Sequence, residues 1–473
     1  NPKAVKICFK CEFYGWEESS DNVVEKYLHK LWQDRKTGRT DIKKSLFFKN
    51  RLYTDPNMLD LLGGFLKPSK AKLKKDDDKV PSVLVVAEAG AGKEDIPKLL
   101  KLFSDCYNRG PTHKLNMAAI KPDAIAPVAM IGGEITEAEN QKYDILNLHF
   151  HKEETHKLKG MLQKIRERTR KDFLDFILKD VPSVKKELEK FEKNEINEKA
   201  RNKWEKEKEC LAKLEELRTK HPNERELEKN LNNHLMNLST KEKLVVKELF
   251  GKFPTIVLDE LNSMNIESQG VLLRFLENAE ITPIGGYEDK MLEGGENEKD
   301  YREFITDFLI VGLMNEDPEE ITREEAIRFL QKEKYIGGLL GDLLYEHIMK
   351  IRRLRPDLRA RMMRNCKFEM PKLADHRADI PHAFYLIIND TKKEAYFPNS
   401  KIRITMDALE YLMKPALEWN ENFRLLEALV NKVVEIIYEN KDDKLIVIRE
   451  KHIRKAMREI GMEKEEMLKE PSV

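Results

Sequence analysis

Three short apolar runs, each followed directly by polar residues, stand out along the chain. They are VPSVLVVAEA at 80–89, FPTIVLDELNSM at 253–264 and FLIVGLMNED at 308–317. Continuous apolar runs of this length, rich in Val and Ile, are typical of buried β-strands. The spacing of apolar residues in KEDIPKLLKLFSDCY, at 93–107, predicts a helix after the first strand. The pattern therefore predicts an α/β fold.

From about residue 370 the apolar positions recur with helical spacing. DALEYLMKPALE at 407–418 and NFRLLEALVNKVVEIIYEN at 422–440 are the clearest examples. Each places apolar residues three and four positions apart, as one face of a helix requires. We therefore predict a smaller helical domain, 369–440, after the sheet domain, with a tail over 441–473.

A strongly charged segment separates the first two predicted strands. It spans about 152–247, and within 183–220 it has 22 charged residues in 38 positions, 12 basic and 10 acidic. Mixed charge and helix-forming residues favour a helical hairpin that projects into solvent. A disordered charged insertion is the alternative that the pattern leaves open. The capping-box pattern from Ser239 to Glu242 marks the return to a compact fold.

Composition argues against several kinds of partner. The 473 residues include 86 basic and 85 acidic side chains, so a net charge of +1 draws the chain neither to nucleic acid nor to anionic membranes. No run approaches about 18 apolar residues, and the start NPKAVKICFK lacks a signal-peptide pattern. Five scattered cysteines suit a reducing compartment. We therefore expect a cytoplasmic protein that contacts no membrane.

Two features of the predicted N-terminal extension, 1–45, stay open. Cys8 and Cys11 form a lone C-x-x-C, which is half of a four-ligand zinc site. The sequence supplies no second pair, so an ordinary cysteine spacing is the alternative. The first residue is not Met, which leaves open a domain upstream.

The first predicted strand leads into VVAEAGAGKED, at 85–95, which resembles a phosphate-binding loop with two unusual positions. The usual pattern is Gly, four variable residues, Gly-Lys and Ser or Thr. Here Ala87 takes the first glycine position and Glu94 takes the hydroxyl position. The order strand, glycine loop, helix is the context that such a loop requires. An isolated glycine loop could equally be an ordinary turn.

The second predicted strand ends in two adjacent acids, Asp259 and Glu260. Beside a phosphate loop, Asp259 could hold Mg²⁺, and Glu260 could activate the water that attacks the γ-phosphate. A pair of acids after a strand is otherwise a solvated strand end. Because the glycine loop and the pair of acids follow buried strands in the order that a nucleotide site requires, the sequence predicts binding of ATP with Mg²⁺.

The residues around these acids resemble a known family. LDELNSMNIESQGVLLRFLENAEITPIGG, at 258–286, resembles without a gap the Walker B region of the AAA+ domain of sigma-54-dependent transcriptional activators. The phosphate loop of that family also reads Gly-Lys-Glu. The resemblance covers roughly 46–146 and 248–440. It implies an AAA+ P-loop domain over 46–368, with helices on both faces of its sheet, followed by a helical lid.

Further motifs follow in the order that the family implies. In GPTHKLNMAAI, at 110–120, Asn116 matches the residue that contacts the Walker B glutamate. Asn315 matches the sensor I position, which orients the water or the γ-phosphate. The segment LRPDLRARM, at 354–362, resembles the one that carries the arginine fingers. The resemblance implies the following further functional residues: Arg355 and Arg361 as fingers, Arg424 as sensor II, and Ala89, Gly90, Ala91, Gly92, Lys93 and Glu94 as the phosphate loop.

The chain also departs from the family. The Gly-Ala-Phe-Thr-Gly-Ala loop that presses on the sigma factor is missing between Asn116 and the acids, where AMIGGEITEAEN and the charged segment stand instead. After Asn440 only 33 residues remain, fewer than a helix-turn-helix domain requires. Segments near 287–303 and 318–350 are further departures.

These observations lead to one main expectation and two alternatives. The first is an ATP-hydrolysing motor, active as a ring or another oligomer, that acts on an unidentified protein through its 152–247 insertion. The second is a sigma-54-dependent transcriptional activator. The third is an ATP-binding switch or scaffold with negligible hydrolysis. The basic tract IRRLRPDLRARMMR, at 351–364, with His376 and Arg377, could suggest a nucleic-acid face. Because the tract overlaps the finger segment, we do not expect direct contact with nucleic acid.

Overall fold

A computed structural model describes most of the chain from Val80 onward. The described residues are 55, 58, 61–62, 64–66, 80–117, 133–136, 155–158, 160–191, 198–264, 266–278, 307–315, 354–364, 366–388, 393–438 and 444–462. The Cys8 and Cys11 pair, the predicted extension 1–45 and the departures near 287–303 and 318–350 lie outside these residues.

Nine β-strands occur in the described residues. In chain order they are β1 Ser82–Val86, β2 Thr112–Asn116, β3 Gly133–Thr136, β4 Thr155–Leu158, β5 Thr255–Asp259, β6 Leu309–Met314, β7 Cys366–Glu369, β8 Lys401–Ile404 and β9 Leu445–Ile448. Five of them form one sheet in the order β2-β5-β6-β1-β7. Strand β5 pairs in parallel with both β2 and β6. The predicted α/β fold is therefore confirmed.

The three apolar runs form the inner strands of this sheet. All six residues of β6 are buried, as are the first four residues of both β1 and β5. Strand β2 lies at the edge, and its residues alternate between exposed and partly buried. Gly312 in β6 is closely packed, because a Cβ there would lie 2.6 Å from Leu261 Cδ2 and 2.7 Å from Met362 Cε, so these two side chains would have to shift to accommodate it.

Thirteen α-helices have both ends within the described residues. They are α1 Ile96–Phe103, α2 Met161–Asp175, α3 Val181–Phe191, α4 Glu198–Lys220, α5 Glu224–Met236, α6 Thr240–Phe250, α7 Ile266–Asn278, α8 Pro356–Met362, α9 Asp379–Leu386, α10 Lys393–Tyr396, α11 Met406–Leu412, α12 Phe423–Ile437 and α13 Glu450–Glu459. A π-helical turn, Phe176–Asp180, joins α2 to α3. None of the described helices is long and apolar enough to span a membrane.

The charged segment is helical, but it is not a hairpin that simply projects into solvent. Its helices α2 to α6 enclose buried side chains, among them Phe173, Leu214 and Leu231. At one end Phe250 packs edge-on against Phe173, with ring centroids 5.1 Å apart, and against Phe253, with centroids 5.0 Å apart. The capping box predicted at Ser239 begins α6, where Ser239 and Glu242 bond each other's backbone N–H groups. This segment therefore has an apolar core of its own.

The chain divides into two compact units, which we describe separately. The loop-and-lid unit includes residues 86–99 and the chain from Phe368 onward, and the sheet-and-helix unit includes 69–85 and 100–367. In the loop-and-lid unit, α9 to α13 and strands β8 and β9 surround an apolar core that contains Phe384, Leu429 and Ile448.

The boundary predicted at residue 440 divides this core. Ile446 and Ile448 of β9 and Met457 of α13 are buried in it. Strand β9 also pairs in parallel with β8. Residues 444–462 therefore share the apolar core of α9 to α12 and do not form a separate tail. The sequence concealed this, because the apolar run after residue 443 is only four residues long and charged residues surround it.

Candidate functional site

The predicted phosphate loop follows β1 and has a backbone that only glycine adopts readily. Gly90 has φ 77° and Gly92 has φ 97°, both in the left-handed region. The N–H of Ala91 donates to the carbonyl of Glu88, and that of Asp95 donates to the carbonyl of Gly92. A 3-10 turn, Lys93–Asp95, then leads into α1. Successive turns of this kind direct backbone N–H groups to one side and form a concavity for anions.

The unusual Ala87 does not strain this loop. Its side chain is buried, with 4% of its surface exposed. Among the described residues other than glycine, only Glu260 and Asn422 have positive φ. The turn therefore does not need the conformational freedom of glycine at this position, and alanine is sterically acceptable there.

The start of α12 packs directly against the phosphate loop within the loop-and-lid unit. The N–H of Phe423 donates to the carbonyl of Gly90 over 3.1 Å. A Cβ built on Gly90 would lie 3.0 Å from Arg424 Cγ, so the aliphatic part of the Arg424 side chain covers the loop. The structure therefore brings the predicted sensor II residue to the predicted phosphate loop.

Asn422 joins the same loop to the lid, and the sequence analysis missed it. Its side-chain nitrogen donates to the carbonyl of Ala89 over 3.2 Å, and its side-chain oxygen accepts from the N–H of Leu373 over 2.7 Å. The side chain is fully buried, and φ is 54°. A buried asparagine held in this conformation by two backbone partners fixes the path of the loop. A position directly before an amphipathic helix is also typical of an ordinary helix cap, so the sequence gives no specific signal for these contacts.

The two predicted acids lie at the end of β5 in the sheet-and-helix unit. Glu260 has φ 54° and ψ 45°, a left-handed conformation that is uncommon for glutamate. Its N–H donates to Asp259 Oδ1 over 3.1 Å, and its carbonyl accepts from the N–H of Ser263 over 2.8 Å. Backbone strain of this type is concentrated at functional sites. The chain therefore turns sharply immediately after Asp259.

Strand β2 places two further side chains beside these acids. The strand register sets Asn116 opposite Asp259, and the N–H of Met117 donates to the Asp259 carbonyl over 2.8 Å. Lys114, two residues earlier, forms an ion pair with Asp259, with 2.8 Å between Lys114 Nζ and Asp259 Oδ2. The structure thus places Asn116 opposite Asp259 in the sheet, and it adds Lys114, which the sequence analysis did not identify.

Asn315, the predicted sensor I residue, follows β6 directly and is partly buried. Strand β6 is the other neighbour of β5. Asn116 and Asn315 therefore end the two strands that flank the acid-bearing strand. In parallel sheets the residues at these carboxyl ends line the ligand-binding edge.

Both predicted finger arginines are paired with acids of their own chain. Arg355 makes two hydrogen bonds to Asp357, over 3.1 Å and 2.7 Å, which lower the pKa of the Asp357 carboxyl. The N–H of Arg355 donates to the buried amide oxygen of Gln269 over 2.8 Å. Arg361 pairs with Glu277 over 2.7 Å. The side chain of Arg355 is 41% exposed, so its guanidinium can leave Asp357 for another anion.

His376 and Arg377, which the sequence analysis considered for a nucleic-acid face, have partners within their own unit. His376 is buried, and its Nδ1 lies 2.8 Å from Asp379 Oδ2. The guanidinium of Arg377 donates to the carbonyls of Lys414 and Leu417. Both side chains are therefore engaged within the lid.

The described residues contain no group of three or more His, Cys, Asp or Glu side chains that could hold a metal ion on their own. Magnesium does not need such a group, since it binds through one or two carboxylates together with substrate phosphates and water. The carboxylate of Asp259 is a suitable ligand of this kind. Asp259 therefore fits Mg²⁺ only in combination with a phosphate group.

Comparison with known proteins identifies one segment of the chain. Residues 250–293 match the family model of the Sigma-54 interaction domain. The resemblance predicted from the sequence is confirmed over this segment, which contains β5, Asp259 and Glu260. No curated protein matches the chain.

Solved structures of NtrX from Brucella abortus are similar to the chain at low identity. One is 15% identical, and the match covers 90% of this chain and 60% of the NtrX chain, with a TM-score of 0.42. Another, of NtrX in complex with ATP, is 14% identical, and the match covers 90% of this chain and 59% of the NtrX chain, with a TM-score of 0.43. The chain thus spans about 60% of the length of these proteins.

The contact between Gly90 and α12 leads to a first prediction. In Gly90→Ala, the new Cβ would lie 2.4 Å from the carbonyl oxygen of Glu421, and φ would stay at a value that alanine rarely adopts. We expect the loop or the start of α12 to shift. The affinity for ATP should fall at least about tenfold, and the unfolding free energy should fall by roughly 1–3 kcal/mol. Nucleotide titration and urea unfolding measure the two effects.

Substitutions at two other glycines distinguish the steric clash from the backbone strain. Gly64→Ala meets no atom within 4 Å and has no positive φ, so it should leave ATP affinity unchanged. Because Gly64 lies in a helix, the unfolding free energy should stay the same or rise by up to about 1 kcal/mol. Gly461→Ala has φ 75° but open space, so it should cost stability without affecting ATP affinity. Normal ATP affinity in Gly90→Ala would show that the loop does not bind nucleotide in the conformation described.

Proposed function

We propose that this chain is an ATP-hydrolysing AAA+ motor that works as an oligomer and moves a protein partner through its helical segment. The match to the Sigma-54 interaction domain supports an ATPase of the sigma-54-activator type. The observation that carries the proposal is the strained Glu260, which directly follows Asp259 and lies within the matched segment. A strained acid next to a possible metal ligand suits phosphoryl transfer and has no evident structural benefit.

In this proposal the phosphates of ATP bind at the glycine loop. The backbone N–H groups around Gly90 and Gly92 would donate to phosphate oxygens, and Lys93 would neutralise their charge. Arg424 would reach the phosphates from the lid, because its side chain already covers Gly90. Asp259 would hold Mg²⁺, which neutralises charge on the phosphates when it is bound.

The acids and their neighbours would carry the hydrolytic step. Water attacks the γ-phosphorus, the bond from that phosphorus to the β–γ bridging oxygen breaks, and ADP and inorganic phosphate are the products. Glu260 would accept the proton of the attacking water. Asn116 would hold Glu260 in position, and Asn315 would orient the water. Arg355 or Arg361 from a neighbouring subunit would stabilise the charge that develops on the phosphate.

The helical segment would contact the protein partner. Its core is apolar, but its surface carries both signs of charge in ion pairs such as Lys185 with Glu215 and Lys213 with Glu242. A mixed surface of this kind favours a protein partner over the uniformly negative surface of nucleic acid or membrane.

Steady-state phosphate release across a range of protein concentrations tests the proposal. An assembling motor should show turnover per subunit that rises with protein concentration and then reaches a plateau, since each finger belongs to a neighbouring subunit. Turnover independent of concentration would contradict the oligomeric mechanism. Binding of ATP without measurable turnover at any concentration would favour the switch or scaffold. ATP-dependent binding to the sigma factor would favour the transcriptional activator, which the family match also supports.

A further inference from the structure

Lys114 forms an ion pair with Asp259, the acid proposed to hold a metal ion. It is on the edge strand β2, and the register places Lys114 opposite Val257 and Asn116 opposite Asp259. Side chains of alternate residues share a face of a strand, so Lys114 and Asn116 extend on the same side. From there Lys114 Nζ reaches to 2.8 Å from Asp259 Oδ2.

Both oxygens of the Asp259 carboxylate therefore have partners. Oδ1 accepts from the N–H of Glu260 over 3.1 Å, and Oδ2 receives the ammonium group of Lys114. The first bond lies within the strained turn, so it is fixed by the backbone. The second is made by a flexible side chain and is the one that can be exchanged.

The ammonium group and Mg²⁺ compete for the same oxygen. Magnesium binds carboxylate oxygen at about 2.0–2.1 Å, so with both cations on Oδ2 their centres would be at most about 5 Å apart. Two positive charges at this distance repel each other, and the carboxylate has only one charge to offer. The binding of Mg²⁺ at Asp259 Oδ2 is therefore weakened while Lys114 stays in place.

The ion pair is poorly suited to a purely structural role. The Lys114 side chain is 51% exposed, while that of Asp259 is 13% exposed. Ion pairs with one partner in solvent contribute little to stability, because water screens the attraction and the long side chain loses freedom. The same exposure gives Lys114 the space to leave.

Building on the proposed function, we propose that Lys114 is a positioning residue that serves as the counter-ion of Asp259 before nucleotide binds. Mg²⁺ with ATP competes with it for Asp259 Oδ2, so Lys114 raises the Mg²⁺ concentration at which ATP is retained. The lysine thus keeps the acid neutralised in the empty site and makes nucleotide loading depend on the free Mg²⁺ level.

The test measures binding and not turnover. A fluorescent, non-hydrolysable ATP analogue is held at a fixed concentration while Mg²⁺ is raised from micromolar to millimolar. Lys114→Met should lower the half-saturating Mg²⁺ concentration about two- to fivefold, the factor by which exposed ion pairs change equilibrium constants. Lys114→Arg keeps the charge and should match the wild type. High salt should reduce the difference between Lys114→Met and wild type.

Two controls isolate the contact with Asp259. Lys101 Nζ lies 3.4 Å from Thr112 Oγ1 at the other end of β2, so Lys101→Met removes a nearby charge without touching the acid and should change nothing. In an Asp259→Asn background, Lys114→Met should have no further effect.

The outcomes are distinct. An unchanged or higher half-saturating Mg²⁺ concentration in Lys114→Met would overturn the role of Lys114 while leaving the proposed ATPase intact. If the wild-type protein binds no nucleotide, or binds it with an affinity that does not depend on Mg²⁺, the result would contradict the proposed function itself.

Discussion

Replacing Glu260 with Gln is expected to stop ATP hydrolysis while ATP still binds. Glutamine has the same size and can keep the left-handed backbone and the hydrogen bonds that the main chain of Glu260 makes to Asp259 and Ser263. Its amide cannot accept a proton from water. Loss of a general base lowers rates by about 10²–10⁴-fold, so we expect turnover to fall by at least about 100-fold. Phosphate release and titration with labelled ATP measure the two properties.

Glu410→Gln is a matched control, since it makes the same chemical change at an exposed position of α11. It should keep wild-type turnover. Hydrolysis at the wild-type rate in Glu260→Gln would remove Glu260 from the mechanism. A large loss of ATP affinity would mean instead that the carboxylate supports binding and not the chemical step.

The inner strands of the sheet could be predicted because burial on both faces leaves a continuous apolar run. Strands β1, β5 and β6 each have one, and polar residues stand at or directly after the ends of β5 and β6. Strand β2 has no such run, since the edge position leaves alternate residues of THKLN exposed. Asn116 was therefore found through the family resemblance and not through the pattern.

The contacts of the site depend on pairings that the sequence does not state. Lys114 reaches Asp259 only because β2 and β5 are paired in a particular register. Asn422 is joined to Ala89 across a separation of 333 residues. The positions of such polar side chains follow no periodic pattern, so the local sequence does not distinguish them from surface residues.

The apolar core of the helical segment is visible in the sequence as regularly spaced leucines. Leu227, Leu231 and Leu235 recur every four residues in α5 and are buried. Leu211 and Leu214 in α4 are also buried and are three residues apart. Spacings of three and four place side chains on one helical face, so they predict packing against another helix. The high density of charge drew the interpretation toward a solvated hairpin, although charge on the outer face is compatible with an apolar inner face.

Arg355→Ala is expected to lower ATP turnover about a thousandfold if Arg355 acts on the nucleotide of a neighbouring subunit. An arginine that stabilises the transferring phosphate contributes about 10³–10⁵ to the rate. In the structure the Arg355 guanidinium bonds to Asp357 and the Arg355 N–H bonds to the buried Gln269, and the side chain is partly exposed. Arg458→Ala, on the exposed side of α13, is the control and should leave turnover unchanged.

Mixing two inactive variants decides whether the arginine acts between subunits. Arg355→Ala subunits keep Glu260, and Glu260→Gln subunits keep Arg355. Where the two meet, the intact acid of one subunit can receive the intact arginine of the other, so the mixture should recover a substantial fraction of wild-type turnover. An arginine acting within its own chain would give no recovery, because every site would lack either the acid or the arginine. Repeating the mixture with Arg361→Ala in place of Arg355→Ala tests which arginine crosses the interface. Arg361 is bonded to Glu277 and its carbonyl accepts from Ser82 Oγ, so we expect recovery with Arg355→Ala to exceed that with Arg361→Ala.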